Sequence, residues 1–351
     1  MPTQPEKPGP LDAARITRHE MSPRSGCLSK LPPCDLDELL NASFELAGGT
    51  SSRRLGGSPP RHEDSALVEI GQQQLLVTTD IGPIVGIDLY AAGRIAALHA
   101  MSDIFACGGI PHWALATLFV DAAKPAVDMA TVLAGVLQAC HHEGVELVGG
   151  HTSLGSEAMA GLTVLGIPRP GVILRKNGAL PGDVLFLSKP LGSGLVLRAF
   201  KLGLIGEGEL ADAISIMETS NARASACAVD ARVHASTDVT GFGLLGHLVE
   251  MLNGNLGASL QLGAIPVLDY VRSLPEEVGR TCFAQGNLEY VISSQKLDGS
   301  TEFKRLVPLL DPQTNGGLLV AAAQEAAELL CGSQFSRIGQ VTMSGHIELH
   351  H

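Results

Sequence analysis

The chain has 351 residues, with 36 Asp and Glu against 24 Lys and Arg and a formal net charge of −12. That balance excludes a general nucleic-acid binder, which would present a basic face, and suits a protein whose anionic ligands arrive with metal ions. The 41 glycines and 20 prolines exceed the usual share of roughly 12% and point to many tight loops rather than a helical bundle. Seven cysteines, at 27, 34, 107, 140, 227, 282 and 331, form no Cys-x-x-Cys pair. Neither a disulfide framework nor a structural zinc site is expected, and a reducing compartment is. The opening MPTQPEKPGP lacks the basic start and apolar stretch of a secretory leader, and no apolar run approaches the ~18 residues of a membrane span. The expectation is a soluble cytoplasmic protein of about two domains.

Residues 1–61 hold nine prolines and the stretch GGTSSRRLGGSPP (48–60), and read as a mobile arm with one short helix near Asp35–Leu46. From residue 62 to 168, strands and helices alternate. QLLVTTD (74–80) is a predicted strand. GRIAALHAMSDIFACGG (93–109) is a predicted helix with Ile95, Leu98, Met101 and Phe105 on one stripe and Gly108-Gly109 ending it. WALATLFV (113–120) reads as a buried strand, Val132 to Cys140 as an amphipathic helix, and VELVGG (145–150) and LTVLGI (162–167) as further strands. The turn-rich 168–183 segment, with its basic pair Arg175-Lys176, marks the boundary of a second domain over 169–351. There DVLFLS leads through KPLGSG into LVLRAF (183–200), TDVTGFG leads into the helix LLGHLVEMLNG, and GGLLVAAA, QEAAELLCG and SRIGQVTM give strand, helix and strand. Long connections between strands indicate α/β (α+β) architecture in both halves.

Four aspartates, Asp64, Asp80, Asp103 and Asp238, each stand at a loop or element end beside small residues. A lone loop aspartate is a turn or cap residue; four that converged would suit Mg²⁺ bridging substrate phosphates. GFGLLG (241–246) matches G-x-G-x-x-G, but TDVT stands between the strand and the glycines and QLGAIP lies where an acidic residue is required. The glycines are read instead as a tight turn that starts a helix beside Asp238. Gly149-Gly150-His151-Thr152 reads as the close of a strand, either a phosphate-cradling turn or a plain one. Cys27 and Lys30 form Cys-x-x-Lys in the arm, where the lysine charge favours thiolate. Cys107, Cys140, Cys227 and Cys331 lie in apolar periodic segments and are expected in the core. His99 shares a helix face with Asp103, as a surface pair or as part of a site.

These fragments in this order (SGCLSK, HEDSALVEI, VTTDIGPIV, GRIAALHAMSDIFACGGIP, LVGGHTS, KPLGSG, STDVTGFGLLGHLVEM and DPQTNGGLLVA) resemble the selenophosphate synthetases, or selenide, water dikinases. These belong to the aminoimidazole ribonucleotide synthetase-like superfamily. The resemblance implies a two-domain α/β fold whose N-terminal domains pair into a β-barrel-like homodimer core. It implies ATP-dependent synthesis of selenophosphate from selenide and water, with release of AMP and phosphate, for selenocysteine and selenouridine biosynthesis. Cys27 and Lys30 match the essential catalytic pair. Asp64, Asp80, Asp103 and Asp238 match metal ligands. Lys30, His62, Glu63, Asp80 and Asp103 match nucleotide contacts, and Gly150, His151 and Thr152 match a segment reaching nucleotide from the partner subunit. ATP and Mg²⁺ are the implied cofactors, with K⁺ a further candidate, and selenide or a selenium-delivery protein is the implied partner. The chain departs from the family at His99, where Asn is usual, at Asn315, where Ser is usual, and in the glycine-poor SGCLSK. A thiamine monophosphate kinase-like enzyme and a non-catalytic nucleotide-binding regulator are the alternatives.

Overall fold

The computed structural model describes residues 63–85, 88–121, 126–297 and 302–351, together with four helical residues at 36, 39, 42 and 43. Cys27, Lys30 and His62 lie outside the described residues.

The first half is a five-stranded sheet in the order β1-β2-β5-β3-β4, built from β1 (Ala66–Ile70), β2 (Gln73–Pro83), β3 (Gly109–Asp121), β4 (Glu146–Gly155) and β5 (Met159–Pro168). Only β3 and β4 run parallel, joined by the crossover helix α2 (Ala126–His142). Helix α1 (Leu89–Ala106) starts earlier than its apolar stripe suggests, because Asp88 accepts hydrogen bonds from the backbone N–H of Tyr90 and Ala91 and caps it. It is also not one-faced. Ala91, Ala97, Ala100 and Ile104 are buried with the expected Ile95, Leu98 and Met101, since α1 is packed against the sheet, α2 and the second half of the chain. Gly108, at φ +75°, ends it.

β3 corrects the reading of 113–120 as a buried strand. Ala114, Ala116 and Leu118 face the helices, whereas Trp113 and Leu115 are exposed on the opposite face. The same outward face carries exposed Val68 and Ile70 on β1 and Ile167 on β5. The sheet is open rather than closed into a barrel within one chain.

The second half is a six-stranded mixed sheet, β11-β8-β10-β6-β9-β7. Its strands are β6 (Val184–Leu187), β7 (Ala235–Asp238), β8 (Gly257–Gln261), β9 (Leu318–Ala322), β10 (Ser336–Thr342) and β11 (Ile347–His350). The helices are α3 (Ser193–Lys201), α4 (Glu207–Met217), α5 (Ala222–Asp230), α6 (Gly243–Met251), α7 (Glu276–Gly279), α8 (Cys282–Ser293), α9 (Phe303–Leu310) and α10 (Ala327–Cys331). Leu244, Leu248, Val291 and Leu310 pack one sheet face with Leu185, Leu187 and Leu319. Ala224, Ala228 and Leu330 pack the other with Phe186 and Val320. Cys107 and Cys140 are buried as expected; Cys331 instead is exposed at the C-terminal end of α10.

The two halves meet along α1. The Asn221 side chain donates to Ser102 Oγ (2.9 Å), Ser225 Oγ donates to the Phe105 carbonyl (2.7 Å), and the Asn315 N–H donates to His99 Nδ1 (3.1 Å). The DPQT segment works inward. Gln313 Oε1 accepts from the Gly192 and Ser193 N–H and from Ser193 Oγ, while Asp311 Oδ2 accepts from the Leu195 N–H. Together they satisfy the first turn of α3.

Candidate functional site: a buried carboxylate cluster

Three elements that end at one point build the site. Asp64 precedes β1, Asp103 lies in the last turn of α1, and Asp238 is the last residue of β7. Each offers a carboxylate oxygen, and these oxygens lie within 4.8 Å of one another. Thr78 Oγ1 on β2 donates to Asp103 Oδ2 (2.5 Å), and Thr237 Oγ1 donates to Asp64 Oδ1 (3.0 Å). Asp238 is 2% exposed and, among the described residues, its Oδ2 has no hydrogen-bond partner. A buried carboxylate oxygen left unpaired is costly, and three converging carboxylates form the oxygen-rich donor set of a hard divalent cation. The residues present fit such an ion.

Behind the cluster lies a charged network that sequence reasoning missed. Lys176 Nζ is 2.7 Å from Asp64 Oδ1 and 3.1 Å from Glu250 Oε2 on α6, and its side chain is 7% exposed. The same Glu250 oxygen is 3.1 Å from His247 Nδ1, and His247 Nε2 is 3.3 Å from Thr240 Oγ1. The Lys176 N–H donates to Glu63 Oε2 (3.3 Å). Burial, with Asp238 beside it, pushes the Asp64 carboxyl up to about 7 against the pull of Lys176. Burial also works against the charged forms of Lys176 and Glu250. Asp64 and Glu250 outweigh it to hold the ammonium above its usual range, and Lys176 and His247 hold Glu250 down at about 2.

Asp80 stands apart from the three. Its Oδ2 is 2.9 Å from His99 Nε2, so His99 reaches across to β2, and it is buried rather than on the surface. Because Nδ1 of His99 accepts the Asn315 N–H, Nε2 carries the ring proton toward Asp80. The departures from the family pattern at His99 and Asn315 thus touch each other. Asn315, in the left-handed region at φ +46°, accepts a hydrogen bond at its carbonyl from Lys189 Nζ (2.8 Å), which also donates to the Thr219 carbonyl (2.7 Å). Burial depresses the Lys189 ammonium to about 7.

The GFGLLG segment behaves as a turn and helix start. Gly243 opens α6 at φ +67°, with the backbone of Leu309 and Leu310 within 3.0 Å of where a Cβ would stand. Gly149-Gly150-His151-Thr152 does not close a strand but lies within β4, paired to β3 with His151 opposite Thr117. A Cβ on Gly150 would meet the Ala116 carbonyl at 2.1 Å, so glycine is required there for strand approach.

This fold and site define a class. A family model described as "AIR synthase related protein, N-terminal domain" matches residues 62–168, and the corresponding C-terminal domain model matches residues 181–351. A selenide, water dikinase from Geobacter metallireducens is 38% identical over 311 residues, covering 87% of this chain and 88% of the relative. One from Aeromonas hydrophila is 37% identical over 347 residues, covering 94% and 96%. The chain belongs to the selenide, water dikinase family. Among solved structures, thiamine monophosphate kinase from Aquifex aeolicus matches with a TM-score of 0.66 at 19% identity, over 91% of this chain and 97% of that one. Hydrogenase maturation protein HypE in complex with ATP matches at 0.60 and 19%, over 88% and 91%. At such identity these two share the fold alone.

Proposed function

We propose that this chain catalyses ATP-dependent phosphorylation of selenide. ATP, selenide and water become selenophosphate, AMP and inorganic phosphate. The observation that carries this reading is the buried carboxylate cluster with its unpartnered Asp238 oxygen, in a chain that shares 38% identity over 87% of its length with a relative named for that reaction. Asp64, Asp103 and Asp238 hold Mg²⁺, and Asp80, oriented by His99, joins the nucleotide or metal contacts with Glu63 and His62. A divalent cation there supplies neutralisation of phosphate charge. K⁺ is a candidate second cation.

Phosphoryl transfer asks a protein mainly for positioning and charge stabilisation. Selenide is already a strong nucleophile, so no general base is assigned. Cys27 holds or positions selenium and Lys30 offsets charge on the transferred group; both lie outside the described residues. The two domains are assigned to residues 62–168 and 169–351, after the arm 1–61. We assign a cytoplasmic homodimer, in which Gly150, His151 and Thr152 serve the partner subunit's nucleotide. The apolar outward face of the first sheet, with Val68, Ile70, Trp113, Leu115 and Ile167 exposed, supports that pairing. His151 shares this face by strand alternation opposite Thr117.

Anaerobic incubation with ATP, Mg²⁺ and selenide is expected to give AMP and a phosphorus resonance coupled to selenium, and Asp238→Asn to lower the rate by at least about 100-fold. ADP as the sole nucleotide product, with no phosphorus–selenium signal, would overturn the assignment.

A further inference from the structure

Three carboxylates gathered in a buried place repel one another, and something must hold them together before a cation arrives. Lys176 is so placed. Its ammonium is 2.7 Å from Asp64, almost wholly buried, and anchored on its far side by Glu250, which His247 holds in turn. The three tethers come from different parts of the chain: Asp64 from the segment before β1, Lys176 from the connector between the sheets, Glu250 from α6. One Asp64 oxygen is thereby engaged by Lys176 and Thr237, while Asp238 Oδ2 has no hydrogen-bond partner among the described residues. Charges a few ångströms apart interact strongly even at the effective dielectric of a protein interior. An ammonium this near the cluster therefore weighs heavily on any divalent ion bound there.

We propose that Lys176 is a built-in counter-cation of the carboxylate cluster, which keeps Asp64 in place in the metal-free protein and weakens divalent-cation binding so that the ion is held reversibly. This rests on the cation-binding role assigned to the cluster above. It gives Lys176 a positioning role through Asp64 and no contact with substrate. Two opposing effects follow from its removal: Asp64 loses orientation, and the cluster loses a competing positive charge. The lost charge acts on the bound ion itself and the lost orientation on one of its three carboxylates, so tighter binding is the expected net result.

The test is a titration of the full-length protein with Mn²⁺ alone, by calorimetry and by the shift in melting temperature, without ATP or selenide. Lys176→Met is expected to melt lower than wild type when metal-free, because Asp64 and Glu250 lose the buried cation between them, yet to bind Mn²⁺ roughly tenfold or more tightly and show a larger Mn²⁺-induced shift. Lys176→Arg, which keeps the charge, should return both readings toward wild type. Should Lys176→Met not fold, Lys176→Met combined with Glu250→Leu replaces the buried pair by apolar volume, an exchange that is often neutral for stability, and the same tightening is expected. Mn²⁺ affinity unchanged or weakened in the folded variant makes Lys176 a purely structural partner and overturns the proposal, as does a wild type that binds no Mn²⁺. Because neither nucleotide nor selenide enters the assay, a wild type that makes selenophosphate while the variants bind Mn²⁺ no tighter sinks only this inference. The reverse pattern sinks only the assigned reaction.

Discussion

Asp311 is a carboxyl group folded into the protein interior, where burial raises it from 3.8 to about 7 against the opposing hydrogen bonds from the Leu195 N–H, Gln313 and the Gly194 N–H. Between those two values the folded chain keeps a proton that the unfolded chain has released. The Asp311 contribution to stability is therefore full below about pH 4, falls as pH rises toward 7, and is flat above. Asp311→Asn keeps a neutral oxygen in the same place and should remove that slope. In denaturant titrations at pH 5 and pH 8, the advantage of wild type over the variant should shrink by on the order of 2–3 kcal/mol; a constant difference would refute the shift. At this scale the sequence was partly readable. Asp64, Asp103 and Asp238 could be picked out because each ends an element beside small residues. Lys176 could not, since a lysine in a turn-rich segment reads as solvated; its burial depends on Glu250, 74 residues further on. An acid and a histidine three positions apart on an apolar helix, His247 and Glu250, were the available signal.

Helix α6 begins where the chain must turn sharply away from Asp238, and Gly243 makes that possible by adopting φ +67° against the backbone of α9. Alanine at this position brings both the left-handed penalty and a contact of 2.7 Å to the Leu309 carbonyl. Gly243→Ala is expected to cost about 2 kcal/mol or more, read as a lower urea midpoint; a midpoint unchanged from wild type would show that the turn relaxes freely. Elements with a long apolar pattern, such as α1 and the strand before Gly149, were visible in the sequence, with the start of α1 displaced by the Asp88 cap. Others gave no local signal. Helix α9 carries Pro308 inside it, against ordinary helix rules, and is held by the core residues Leu306, Leu309 and Leu310. Strand β11 is four residues long and exists by pairing with β8.

Over the whole molecule, the described residues leave one face of the first sheet uncovered, with Val68, Ile70, Trp113, Leu115 and Ile167 exposed on it. Leu115→Asp, at a position 39% exposed near its middle, should convert the proposed dimer to monomer in sedimentation at micromolar concentration while the far-ultraviolet circular dichroism is retained; a variant that sediments as wild type does would refute an interface on this face. Alternation along β3 shows why composition alone could not reveal this surface. WALATLFV is apolar at nearly every position, and only pairing tells which residues face the helices. The carboxylate cluster has a further implication for biogenesis. The Thr237–Asp64 hydrogen bond joins residues 173 apart, and the ammonium that neutralises Asp64 is itself held from α6. A nascent chain leaving the ribosome with its first sheet complete exposes two acids with neither their third member nor their counter-charge. Domain-wise folding during synthesis would therefore finish the scaffold early and the ion site late, so fragments ending before Asp238 lack the third carboxylate and are expected to bind divalent ions weakly even when their first half is folded.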